Sequence, residues 1–104
     1  MVAMEPRIQY AQTADGVSIA FWTMGKGMPL VHMAHPFTHI QMEWQFPEMR
    51  RWHGRLAEKR KLIRFDVRGF GLSQREVPYL SLDTWVLDVE GVVASERGSF
   101  KRGQ

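Results

Sequence analysis

Two short apolar runs separated by a helix-patterned stretch constrain this chain more than any other feature. Pro29-Leu30-Val31-His32-Met33 reads as a short apolar strand, more buried than half-exposed, and Leu62-Ile63-Arg64-Phe65-Asp66 as another strand. Between them, Pro47 opens a helix at a position where its missing N–H costs nothing. Met49, Trp52 and Leu56 then fall at i, i+3 and i+7, one apolar stripe, while arginines take the other face. Strands joined through a helix pair in parallel, with a right-handed crossover.

The flanking segments complete the order. Ile8 to Thr13 alternates, Ala14-Asp15-Gly16 interrupts, and Val17 to Met24 alternates again, which is a hairpin signal. Gly69 and Gly71 mark a tight loop after the fourth strand. Ser81 is an N-cap, and Asp83 suits the positive end of a helix dipole. Leu82, Trp85, Val86, Val89, Val92 and Val93 follow as an apolar stripe. The order is β-β-β-α-β-α, which predicts an α/β fold with a mixed sheet and helices on its faces. From Ser95 to Gln104 there is no apolar periodicity, and the segment reads as a tail.

Length and composition bound the rest. The chain has 104 residues, enough for one domain, and its 44% apolar and 12% aromatic content is that of a globular protein. It contains no cysteine, so disulfides and thiolate metal sites are excluded. No apolar run approaches a membrane span, and the first residues lack the build of a signal peptide. A cytoplasmic location is expected, with no membrane partner. Seven cations crowd between Arg50 and Arg64 against Glu58 alone. They read as the solvated face of one helix and its exit turn. Carboxylates cluster equally from Asp83 to Glu96, which argues against a polyanion binder.

The loop after the fourth strand reads Phe65-Asp66-Val67-Arg68-Gly69-Phe70-Gly71-Leu72-Ser73. It is similar to the D-x-R-G-x-G-x-S segment of α/β-hydrolases. Thr13 to Ala20 looks like the opening hairpin of that family. Thr38-His39-Ile40-Gln41-Met42-Glu43-Trp44, with Pro47-Glu48 and Arg51-Trp52, resembles a bacterial subgroup often fused to regulatory or cyclase domains. Ser81 to Glu90 matches the helix that follows. The resemblance spans residues 8–94 and implies a partial hydrolase domain over 1–94, the N-terminal part of that fold, followed by a polar, basic tail over 95–104. In the family a fifth strand and G-x-S-x-G come next, with the serine on a strained turn. Here the sequence turns polar instead, and the expectation is a chain truncated or frame-shifted before its nucleophile.

Candidate chemistry follows from the same segments. Gly71-Leu72-Ser73 is a poor nucleophile elbow, because Arg75 stands where the turn wants a small residue, so Ser73 is read as a loop hydrogen-bonder. Asp66, Arg68, Gly69, Gly71 and Ser73 form a structural loop, with an Asp66–Arg68 pair expected to brace it. His32, His35 and His39 near Glu43 have spacings that a metal site uses, but Pro36 breaks the helix such a pair needs. No metal or cofactor is expected. The resemblance makes this loop the oxyanion side of an acyl pocket: Phe37 offers the N–H, Pro36 shapes the turn, and His35 and Trp44 line it. Trp52 and Trp85 lie on apolar stripes and are read as core.

No catalytic residue is assigned. The resemblance implies a parent that hydrolyses an ester or related acyl bond of a small molecule through a Ser–His–acid triad, a triad absent here. Two rivals stand beside it: a non-catalytic module that oligomerises through an open sheet edge, and a nucleic-acid accessory using the basic face. The family's strand order, 1-2-4-3, leaves residues 29–33 as an uncharged edge. A homo-oligomer joined through that strand is expected.

Overall fold

The computed structural model describes residues 6–34, 39–78 and 80–102, with 98–102 as backbone alone. The elements are β1 (Gln9–Gln12), β2 (Ser18–Met24), β3 (Met28–Met33), α1 (Ile40–Trp44), α2 (Pro47–Leu56), β4 (Arg60–Phe65) and α3 (Leu82–Arg102). The sheet runs β1-β2-β4-β3. The β1–β2 and β2–β4 pairs are antiparallel, and the helix-linked β3–β4 pair is parallel. This is the mixed sheet that the pattern predicts. At the first turn Gly16 takes φ +84°, and the Thr13 hydroxyl oxygen accepts from the Val17 N–H at 2.9 Å. That closes the hairpin in the register Gln12↔Ser18.

Both faces of the sheet are covered, so successive residues of β2 and β4 are buried rather than alternate ones. Ile19, Phe21, Ile63 and Phe65 face α3 and meet Val92 and Trp85. Ala20, Trp22 and Leu62 face α1 and α2 and meet Ile40, Trp44 and Ala57. Among the described residues, no helix is long and apolar enough to cross a membrane.

Three local expectations need correction. A short helix, α1, stands where a loop was read. His39 caps it by accepting from the Met42 N–H at 3.1 Å, and Ile40 and Trp44 bury one turn apart. One turn is too short to leave a periodic pattern. On α2 the residue that faces the sheet is His53, fully buried, while Trp52 is 44% exposed. Arg64 rises from β4 at that point, and His53 can bond it where Trp52 cannot. On α3 the buried line is Trp85, Asp88 and Val92, and Leu82, Val86 and Val89 are exposed. Asp88 draws that face inward because it answers a buried arginine. Ser81 does cap α3: its hydroxyl accepts from the Thr84 N–H, and the Thr84 hydroxyl oxygen accepts in turn from the Ser81 N–H. The helix continues through Ser95 to Arg102, and Glu96 pairs with Lys61.

Candidate functional site

β3 and β4 are parallel, so the loops that leave them emerge at the same end of the sheet. Asp66, one residue past β4 and 2% exposed, ties them together. Its Oδ1 accepts from the Ile40 N–H at 3.1 Å, at the end of the loop that follows β3. Its Oδ2 accepts from the Leu72 N–H at 3.0 Å, in the loop that follows β4. Burial pushes the carboxyl up from its ordinary range, and the two N–H donors oppose that shift. Gly71 has φ +54°, and a Cβ there would collide with the Asp66 carboxylate and the His39 side chain. Glycine is therefore required where the two loops touch.

Ser73 is 3% exposed, and its hydroxyl is fully engaged. It donates to the Asp66 carbonyl at 2.5 Å and accepts from the Ala20 N–H at 2.8 Å. A hydroxyl so held ties the loop after β4 to β2.

The expected Asp66–Arg68 pair does not form. Arg68, 1% exposed, turns away and binds two other carboxylates. Its Nε donates to Asp88 Oδ1 at 2.8 Å and its backbone N–H to Asp88 Oδ2 at 2.9 Å. Its Nη atoms reach both Asp15 oxygens, at 2.7 and 3.0 Å. The guanidinium holds the Asp15 carboxyl far below the usual range, and the carboxylates hold Arg68 protonated. Hairpin turn, loop and α3 meet on this one side chain. Asp15 and Asp88 lie 53 and 20 residues from Arg68, beyond the reach of local pattern.

A second charged cluster fixes α1 and α2 on the opposite face. Arg64, 1% exposed, pairs with Glu43, and its Nη1 lies 2.8 Å from His53 Nε2. Its Nε donates to His32 Nδ1 at 3.2 Å and its Nη2 to the Met33 carbonyl at 3.3 Å. Burial, reinforced by the Arg64 charge, pushes His53 down to about 4 and lowers His32 as well. His32 and His39, weighed as metal ligands, thus accept from Arg64 and from the α1 backbone. Among the described residues, no three or more His, Asp or Glu are placed to hold a metal.

Of the oxyanion-side residues, His35, Pro36 and Phe37 lie outside the described residues. Trp44 is described and 4% exposed. It sits edge-on to Trp22, with ring centroids 5.9 Å apart, inside the core rather than on an open pocket wall. An open groove of ≈ 910 Å³ lies at the other end of the parallel strands, among Gly25, Pro29, Lys61, Ile63, Val93 and Arg97. It does not touch the two loops.

Neither a known family model nor a curated protein sequence matches the chain. Solved structures do. An E-2-(acetamidomethylene)succinate hydrolase superposes with a TM-score of 0.71 at 14% identity, over 89% of this chain and 32% of its own. An esterase from a Rhodococcus species gives 0.64 at 32% identity, over 86% and 32%. An α/β-hydrolase from Sphaerobacter thermophilus gives 0.64 at 26% identity, over 84% and 31%. The chain spans about a third of the length of the structures it matches.

Proposed function

Because the chain folds as the N-terminal portion of an α/β-hydrolase, we propose that it serves the hydrolysis of an ester or related acyl bond of a small molecule by supplying the oxyanion-side loop of the site. The observation that carries this reading is the Asp66 fork, which pins the end of the 34–40 loop to the Gly71 turn at the carboxyl end of the parallel strands. An attacked carbonyl gathers negative charge on its oxygen, and a backbone N–H fixed in advance stabilises that charge without reorganising. By the family resemblance the donor N–H of this reading is that of Phe37, with Pro36 and His35 the neighbouring residues of the same segment. The neighbour at 32% identity is an esterase, which favours an acyl ester as substrate class.

With Ser73 used as a strut, the chain by itself turns over no acyl ester, and nucleophile, base and acid come from elsewhere. The test is a chimera in which residues 1–94 replace the matched third of the Rhodococcus esterase. It should hydrolyse short acyl esters, and Phe37→Pro, which removes the N–H, should lower kcat by about a hundredfold. A folded but inactive chimera, or an unaffected Phe37→Pro variant, would overturn the reading. Turnover by the isolated chain that vanishes on Ser73→Ala would overturn the inactivity.

A further inference from the structure

Two buried arginines dock the helices on the sheet, and different chemistry answers each of them. Toward α3, the partners of Arg68 are carboxylates: both oxygens of Asp15 and both of Asp88 accept from it. Toward α1 and α2, Arg64 has one carboxylate, Glu43, the Met33 carbonyl, and two imidazoles, met at His53 Nε2 and His32 Nδ1. A guanidinium only donates, so each imidazole must turn a lone pair toward it and carry its own hydrogen on the other nitrogen. Both histidines are therefore neutral where they hold Arg64. The helices also dock by different residues. His53 is the fully buried residue of α2, and Glu43 is buried on α1. The inward line of α3 includes Val92 and Trp85, which do not titrate.

We infer that α1 and α2 form an acid-released layer: a proton on His53 or His32 frees the pair from the sheet while α3 stays docked. This is a property of the fold and does not rest on the acyl-hydrolysis reading. The proton removes the lone pair that Arg64 needs and sets a second cation against the guanidinium. Glu43 carries one charge and cannot balance two. With the cluster broken, the layer is left with the apolar contact of Ile40, Trp44 and Ala57 on Trp22 and Leu62.

The surrounding groups are few. β2 contributes Trp22, whose ring lies 5.4 Å from that of His53 and does not titrate. His39 caps α1 through the Met42 N–H, and Asp66 is engaged by the Ile40 and Leu72 N–H groups. Burial favours a protonated Asp66 in the docked state, so that carboxyl works against release. Burial, with Arg64 beside it, holds His53 down at about 4, whereas the released layer takes up its proton near the ordinary 6.5. Docking is thus at full strength above pH 6.5 and weakens as pH falls toward 4. Over that span Asp15 stays ionised, held far below the usual carboxylate range by Arg68.

Hydrogen exchange of the full chain, read by mass spectrometry and corrected for intrinsic rate, separates the two layers. Between pH 7 and pH 4, protection across residues 49–56 should fall about a hundredfold. Protection across residues 88–92 should stay as it is at pH 7. That comparison needs no variant. His53→Gln and His32→Asn each offer Arg64 an oxygen acceptor in place of the nitrogen and do not titrate. Either should lessen the fall, and the two together should abolish it. Loss of protection in both layers at the same pH, α2 protection indifferent to pH, or a fall undiminished in the double variant would each overturn the proposal.

Discussion

Arg68 holds two carboxylates of unequal standing. Asp88 is fully buried, whereas the Asp15 side chain is 41% exposed and shares its charge with water. Arg68→Met leaves Asp88 buried without its counter-charge and should cost about 3–5 kcal/mol in urea unfolding. Asp15→Asn should cost far less, because its pair is open to solvent. An equal loss in the two variants would mean that the rim contact, not the buried one, carries the bracing. His53 sets a pH dependence of definite sign. Its folded value of about 4 lies below the 6.5 of a free histidine, so the unfolded chain takes up a proton between those values and the folded one does not. The melting temperature should hold above pH 6.5 and fall as pH drops toward 4. Asp66, raised by burial, works in the opposite sense, so the slope that disappears in His53→Gln isolates the histidine. An unchanged slope in that variant would contradict the assignment. At this scale the sequence was legible where chemistry is local. The Ser81 cap follows from a neighbour three residues on. The partners of Arg68 and Arg64 do not, because a charged residue in a strand or loop does not announce which distant carboxylate will meet it.

The strands and the two longer helices were readable as elements from apolar runs, Pro47 and the Asp15-Gly16 turn, and their pairing followed from the helix-linked parallel crossover. The rotation of each helix was not. Apolar spacing put Leu82, Trp85, Val86, Val89, Val92 and Val93 on one stripe of α3, yet only its Trp85 and Val92 side turns into the core, while Leu82 is 75% exposed and Val86 and Val89 are exposed too. Spacing on a helix fixes a stripe, but buried charge pairs choose which stripe turns inward, and here Asp88 and Arg68 choose. Val92→Ala should therefore cost about 2 kcal/mol, while Leu82→Ala stays within about 0.5 kcal/mol of the unaltered chain. Paired denaturant melts decide it, and a larger loss at Leu82 would put the predicted stripe back in the core. His53 displacing Trp52 on α2 is the same effect, with Arg64 as the buried charge.

For the whole molecule, the consequence of that rotation is an apolar surface in the native state. α3 lies over β1 and β2 and leaves part of the same face open. Leu82, Val86, Val89 and Val93 form one flank of the helix, and Val93 looks onto a groove whose floor includes Pro29 and Ile63. Sheet order was implied by the family resemblance; this open flank was not, since the sequence pattern placed those valines on the apolar stripe. An exposed stripe and groove of this kind bind apolar dyes without any loss of structure. Anilinonaphthalene sulfonate should fluoresce with the native protein at neutral pH, while near-ultraviolet circular dichroism shows fixed tryptophans. A molten state would combine dye binding with loss of that signal. Val89→Glu puts a charge on the flank without entering the buried line of Trp85, Asp88 and Val92. It should cut dye binding several-fold and leave the unfolding midpoint in place. Dye binding untouched by Val89→Glu would locate the apolar surface elsewhere, and a lowered midpoint would show that Val89 packs more deeply than its 36% exposure implies.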